Sequence, residues 1–455
     1  MSEQDKIELF ERTPVPQAIV RMAIPTVASS LVMVLYSLAD TYFVGMLNDS
    51  VATAAVTLAA PVLLAFNALN NLFGVGSSSL MSRSLGRKDY DTVRRTSALG
   101  FACALVCSLL LSLGCTVFKT PLLNLLGADA ETWSATADYM FWTVTCGAPP
   151  AILNVVLANM IRSEGAAMNA SIGTMSGCLL NIVLDPIFIL PWGLNMGAAG
   201  AGLATFLSNC VACLYFFVLL YRRRGNTFVS LSPRDLRWDG NILRQICGVG
   251  IPAAIQNLLN VTGMTVLNNF TAVYGADAVS AMGISHKIAM VPMYIAMGIS
   301  QGIMPLVSYN YASKASQRMK RIIVCAGAAS LVLMVVGTVL CVAGAGPIIR
   351  LFMDSDAVVA YGRAFLRGMA LAMPFLATDF LAVGVFQACG MGRSALIFAI
   401  LRKVVLEIPA LVILNHIWPL YGLAYAQLVA EVVLAVAALV MLGRIFRSLE
   451  VPERT

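Results

Sequence analysis

Two short stretches of this sequence surround a carboxylate with apolar chain: VLYSLADTYFVG, which holds Asp40, and LLNIVLDPIFIL, which holds Asp185. An ionised acid at the centre of a membrane-spanning helix costs about 2.5–3.5 kcal/mol on insertion scales, so such groups are usually paired or functional. A carboxyl group in that setting can take up and release a proton near neutral pH. Helical spacing sharpens both cases. Tyr36 stands one turn before Asp40 and Asn181 one turn before Asp185, so each pair shares a helix face. Pro186 removes a backbone donor and crowds the preceding turn, which leaves carbonyl oxygens near Asp185 without helix partners. Acid, amide and freed carbonyl are hard ligands that suit a proton or Na⁺. The alternative use of the same groups is hydrogen bonding between helices.

Three further acids lie in apolar runs: Asp379 in FLATDFLAVG, Glu407 and Glu431. Glu407-Ile408-Pro409 resembles Asp185-Pro186, but Arg402 and Lys403 stand within about a turn and offer neutralisation near the basic edge, so Glu407 and Glu431 are expected to be structural. Lys287 needs an acid of its own half, room to snorkel, or a role in transport; His286 beside it reads as a polar helix residue. The run IPAAIQNLLNVTGMTVLNNF carries Gln256, Asn257, Asn260, Asn268 and Asn269, too many amides for a lipid-facing helix, and some should line a wet cavity. Met290, Met293 and Met297 recur at helical spacing, and Met33 lies two turns before Asp40. Such thioethers serve packing or an adaptable apolar binding surface. The expected substrate cavity comprises Met33, Asn67, Asn70, Asn154, Gln256, Asn257, Asn260, Lys287, Met290, Met293, Met297 and Asp379.

The elements that must hold these residues are membrane spans. Of 455 residues, 59% are hydrophobic and 12% charged, against roughly a quarter charged in soluble domains. Twelve apolar stretches long enough to cross as helix lie near 22–46, 53–81, 96–118, 133–160, 168–190, 197–221, 246–273, 278–308, 322–345, 359–388, 395–415 and 421–443. The expected fold class is therefore an all-α polytopic membrane protein. The N-terminal MSEQDKIELFERTPVPQ is charged and lacks a secretory cleavage pattern, so the mature chain is expected to begin here. The 11 cysteines read as small free hydrophobes.

A net charge of +7 invites a nucleic-acid partner, but the placement of the 30 Lys and Arg residues argues against one. All except Lys119, Lys287, Arg350, Arg363 and Arg367 fall in the tails and alternate connections, as membrane topology requires, and the positive-inside rule puts both termini in the cytoplasm.

The chain also matches itself weakly at an offset of about 226 residues. Ile24-Pro25 meets Ile251-Pro252, Gly76 meets Gly302, Ser82 meets Ser308, Lys88 meets Lys314, Pro121 meets Pro347, and SEGAAMNAS (163–171) meets ACGMGRSAL (388–396). Six spans per half give a parallel repeat, an arrangement that places transport sites between halves. The expected division is an N-lobe over 1–221, a cytoplasmic linker over 222–244 and a C-lobe over 245–455. Enzyme chemistry is not expected: there are only two histidines, no HExxH and no GxSxG. Nor does the sequence show a ring of channel selectivity groups.

ALNNLFGVGSSSLMSRSLGRKDY (68–90), GISQGIMPLVSYNYASKA (298–315), NIVLDPIFI (181–189) and MGAAGAGLATFLSN (196–209) resemble the multidrug and toxic compound extrusion (MATE) family, most closely its MepA-like branch. The resemblance covers about residues 8–447. It implies twelve helices in two lobes and a secondary active antiporter that exports amphiphilic, often cationic compounds in exchange for H⁺ or Na⁺, without a cofactor. It further implies a monomer in a bacterial inner membrane, with small-molecule drugs and membrane lipids as partners. Asp40 falls at the family's first-span acid. Asn181, Asp185 and Thr205 match its N-lobe polar cluster, with Tyr36 beside them, so Na⁺ or H⁺ would sit among Asp40, Asn181, Asp185 and Thr205. Asp379 precedes Gly390 as the tenth-span acid does in the NorM-like branch, but Gln256 stands where that branch has a glutamate, which moves the expected coupling site to the N-lobe. The alternative is a flippase for lipid-linked precursors, which would need a basic cavity rather than acids, amides and methionines.

Overall fold

The computed structural model describes residues 3–47, 49–352 and 355–450, and among these every element is helical. Arg454, counted above with the basic tail, lies outside the described residues. The chain folds into two compact units. The first holds the residues up to Arg12 with Ala28–Ala254; the second holds Thr13–Val27 with everything from Ile255.

Chain order begins with α1 (Glu3–Glu11), α2 (Val15–Met46), α3 (Ser50–Leu69), a π-helical turn (Asn70–Val75), α4 (Gly76–Gly86), α5 (Tyr90–Val117) and α6 (Lys119–Leu126). It continues with α7 (Trp133–Met140), a second π-helical turn (Phe141–Cys146), α8 (Ala148–Ser163), α9 (Ala167–Ile189), α10 (Gly197–Arg222) and α11 (Gly240–Ala272). Then follow α12 (Ala276–Ala312), α13 (Ser316–Ala343), α14 (Ala345–Phe352), α15 (Asp356–Ala388), α16 (Gly392–Ile400), a third π-helical turn (Leu401–Glu407), α17 (Ile408–Ile417) and α18 (Tyr421–Glu450).

Among the described residues ten helices are each long and apolar enough to cross a membrane, and the segments Trp133–Cys146 and Ala148–Ser163, bent by 47° at the break between them, make an eleventh if counted as one span. The count by length and composition is thus ten or eleven, against the twelve stretches expected. The difference is the stretch 395–415: here α16, the third π-helical turn and α17 follow one another, and the run carries Arg402, Lys403 and Glu407. The outward faces are apolar, as on α13, where Val324, Val332, Leu333, Val336, Val339 and Leu340 are exposed. Such surface is stable in hydrocarbon, and the chain is a multi-pass membrane protein.

The self-match reappears as shared construction. Ser82 Oγ donates to the Ser163 carbonyl in the first unit, and Ser308 Oγ to the Ala388 carbonyl in the second. Lys88 and Lys314 both turn through the left-handed region, at φ 59° and 58°. Gly76 faces the Ile246 backbone, and Gly302 faces the backbone of Met22 and Ala23, each too closely for a Cβ. The two packings cross the chain: the first part of α2, residues 15–27, belongs to the second unit, and the first part of α11, residues 240–254, belongs to the first. A division at residues 222 and 245 places both segments differently.

At the turn before α5, Asp89 caps the helix by accepting from the Thr92 amide at 3.1 Å. The Thr92 hydroxyl, its amide and Arg87 hold this carboxyl below the usual carboxylate range. In the second unit α15 is the most enclosed span, with Phe365, Leu366, Met369, Met373 and Leu376 in its core. A charge on such a helix requires a partner.

Candidate coupling and substrate sites

In the first unit α9 and α10 approach through small residues: a Cβ on Gly177 would stand 3.1 Å from Ala212 Cβ and 3.2 Å from the Ser208 carbonyl. That closeness lets Asn181 of α9, which also meets Asp185 one turn on, reach Thr205 of α10. With the Asn181 amide nitrogen facing the acid, it donates to Asp185 Oδ2 at 2.8 Å, and its oxygen accepts from the Thr205 backbone amide at 3.1 Å. The opposite orientation leaves the Asn181 oxygen facing only acceptors and retains one long 3.4 Å contact to Thr205 Oγ1. Asp185 is fully buried and Asn181 nearly so.

The later part of α2 adds Tyr36 and Asp40, both half-buried. Asp40 lies within electrostatic reach of Asp185, and Tyr36 lies within hydrogen-bonding reach of Thr205. The five expected coupling residues therefore come together in one unit. A sixth group joins them: the buried Tyr139 phenol of α7 sits within reach of both Asp40 and Asp185. Its ring is held against α10, where Gly202 leaves room for the Tyr139 backbone and side chain. Two carboxylates, an amide and hydroxyl oxygens can hold a proton or a small monovalent cation. Among the described residues no cluster of three or more His, Cys, Asp or Glu side chains stands ready for a metal ion.

The expected cavity residues divide between the units. In the first, Met33 and Asn67 are exposed and Asn70 is half-buried on the first π-helical turn, with a buried amide oxygen that has no partner. Asn154 is buried and donates to the Pro150 carbonyl and, at 2.9 Å, to Asn209 Oδ1, tying α8 to α10. In the second, Gln256, Asn257, Asn260, Met290, Met293 and Met297 are half-buried and Lys287 is exposed, with no acid in ion-pair contact among the described residues. Gln256 accepts from Gln387 at 3.3 Å, and Met293 packs against the core.

Asp379 is paired. Arg402, buried on the third π-helical turn, places Nη1 3.1 Å from Asp379 and Nη2 2.7 Å from Glu431, with its guanidinium 5.5 Å from the Phe380 ring. Lys403 binds Glu407 at 2.6 and 2.7 Å. Lys403 thus neutralises Glu407 as its spacing predicts. Arg402, read from sequence as an edge charge, instead lies inside the unit and serves two other acids.

A profile of the MatE family matches residues 25–187 and again 252–413, once in each half. The chain belongs to this family. It is 34% identical over 441 residues to the multidrug export protein MepA of Staphylococcus saprophyticus, covering 96% of both chains. It is 33% identical over 446 residues to MepA of Staphylococcus aureus strain MRSA252, again over 96% of each. Among solved structures, a MATE crystal structure in complex with MaL6 superposes with a TM-score of 0.92 at 25% identity, over 98% of this chain and 99% of that one. An outward-facing multidrug resistance MATE family transporter of the MOP superfamily gives 0.92 and 25%, over 98% of both. Membership of the MatE family sets this protein among transporters, not enzymes.

Proposed function

We propose that the protein is a secondary active multidrug efflux antiporter that exports amphiphilic, often cationic compounds in exchange for H⁺ or Na⁺ by alternating access. The observation that carries this reading is the buried Asn181–Asp185–Thr205 arrangement with Asp40 in electrostatic reach, in a chain whose MepA relatives are multidrug export proteins. The coupling cation binds at Asp40 and Asp185, with Asn181, Thr205, Tyr36 and Tyr139 orienting the carboxylates. Its arrival neutralises the acids and weakens the hold on a cationic substrate. By linkage, bound substrate lowers cation affinity by the same factor. Within each unit, the amides and thioethers of α2 and α3 in the first and of α11 and α12 in the second present adaptable surface to amphiphiles of differing shape. The protein acts as a monomer in the bacterial cell membrane, with both termini on the cytoplasmic, basic side.

The test is dye efflux from vesicles holding the purified protein, first under an imposed pH gradient and then under an imposed Na⁺ gradient. Efflux driven by one of them is expected. No efflux of any cationic dye under either gradient overturns the reading.

A further inference from the structure

We propose that the basic end of α10, together with the start of α9 beside it, holds the headgroup phosphate of an anionic phospholipid from the surrounding membrane. The site lies wholly within the first unit and depends on the membrane crossing, not on transport. Its starting point is the row Leu214, Phe217, Val218 and Tyr221, which recurs at helical spacing along α10 and is exposed throughout. On a crossing helix such a row faces hydrocarbon. Met168 and Ile172, exposed on the first two turns of α9, add apolar surface at the same edge.

Tyr221 ends the row, and Arg222, Arg223 and Arg224 follow it directly. An exposed tyrosine succeeded by arginines is the composition of the boundary between membrane and water, where lipid phosphates lie. Arg222 and Arg224 are exposed, and the Arg224 guanidinium stands 5.4 Å from the centre of the Tyr221 ring. Arg223 is different. It is half-buried and within electrostatic reach of Tyr215, two turns back along α10, and its Nη1 is buried without a hydrogen-bond partner among the described residues. Tyr215 itself packs on α9, where Gly173 faces its ring too closely for a Cβ, so Arg223 reaches toward the junction of the two helices.

A buried guanidinium nitrogen with no acceptor is costly, and a phosphate oxygen satisfies it, the planar fork being able to give two parallel bonds. Among the described residues none of the three arginines makes an ion pair. Glu164, on the turn before α9, already accepts from Lys6, Thr227 and the Phe228 amide. Charge then decides between headgroups. Three uncompensated cations attract an anionic head and repel the amine of a zwitterionic one, so phosphatidylglycerol is favoured over phosphatidylcholine. A free phosphate has no acyl chain to cover the row from Leu214 to Tyr221, whereas a lipid satisfies the arginines and the apolar row together.

The test reads the lipid beside the site. A photoreactive benzophenone side chain is placed at position 218 of the full chain, in vesicles of phosphatidylcholine with phosphatidylglycerol as the minor lipid. After illumination the crosslinked lipids are identified by mass spectrometry. Position 332, where Val332 is exposed on α13 of the second unit, carries the same reporter as a control. Phosphatidylglycerol is expected to be enriched roughly tenfold over the bulk at position 218 and to match the bulk at position 332. Arg222→Gln, Arg223→Gln and Arg224→Gln together should abolish the enrichment. Lysine at the same three positions should keep most of it, which separates loss of charge from a folding defect, and high salt should reduce it by screening. Bulk composition at position 218, equal enrichment at both positions, or enrichment that survives the glutamine variant overturns the site, as does its loss in the lysine variant.

Discussion

Asp185→Asn is expected to lower gradient-driven dye export by at least roughly tenfold while leaving the amount of membrane-inserted protein unchanged. The substitution separates two roles that the structure superimposes. Asp185 accepts from Asn181 at 2.8 Å, and an asparagine oxygen at the same place can still accept that bond. Side-chain volume and helix packing are also preserved. What disappears is the carboxylate that takes up and releases a cation. A purely structural Asp185 therefore predicts nearly normal export in the variant, whereas a coupling Asp185 predicts its loss. Asp40→Asn is expected to behave in the same way, because the two acids lie within electrostatic reach of one another. Export rates and membrane content measured side by side decide it; near wild-type export in both variants removes the acids from coupling.

The largest effect on stability is expected in the other unit, from Arg402→Met. The buried guanidinium bridges Asp379 and Glu431 at 3.1 and 2.7 Å. Removing one member of a buried charge set while the rest remain costs about 3–5 kcal/mol, because the remaining carboxylates lose their counter-charge without regaining water. Met fills similar space, so the loss is electrostatic and not a cavity. A marked fall in thermal stability is therefore expected in detergent. The triple variant Asp379→Asn, Arg402→Met, Glu431→Gln should recover most of it, since neutral side chains of similar volume need no counter-charge. Thermal unfolding of the three proteins checks this. A single variant as stable as the wild type contradicts the role assigned to Arg402, and so does a triple variant no better than the single.

These two sites differ in how far the sequence discloses them. Asn181 and Asp185 lie on one helix at a spacing that fixes their shared face, so their proximity follows from the sequence itself. Thr205 comes from another helix, and only the family resemblance points to it. Tyr139 gives no local signal, because its approach to the acids depends on the packing of α7 against α10 at Gly202. Arg402 misleads for a different reason. It sits on a π-helical turn, whose wider winding shifts the helical register and turns Arg402 and Lys403 inward, where regular spacing puts them at an edge. The same turn, with its charges, separates the count of apolar crossings from the twelve expected stretches. The sharing of α2 and α11 between units is likewise invisible to hydropathy, since both parts of each helix are apolar.

The central claim is that Asp40 and Asp185 carry the coupling cation, and the most direct test starts with no imposed gradient of H⁺ or Na⁺. Purified protein in tight vesicles is given a sudden gradient of a cationic dye, and the movement of H⁺ and of Na⁺ is recorded together with the dye. The wild type should drive one of these cations in the direction opposite to the dye, and Asp40→Asn and Asp185→Asn should not. Dye-driven cation movement that persists undiminished in both variants would contradict the account.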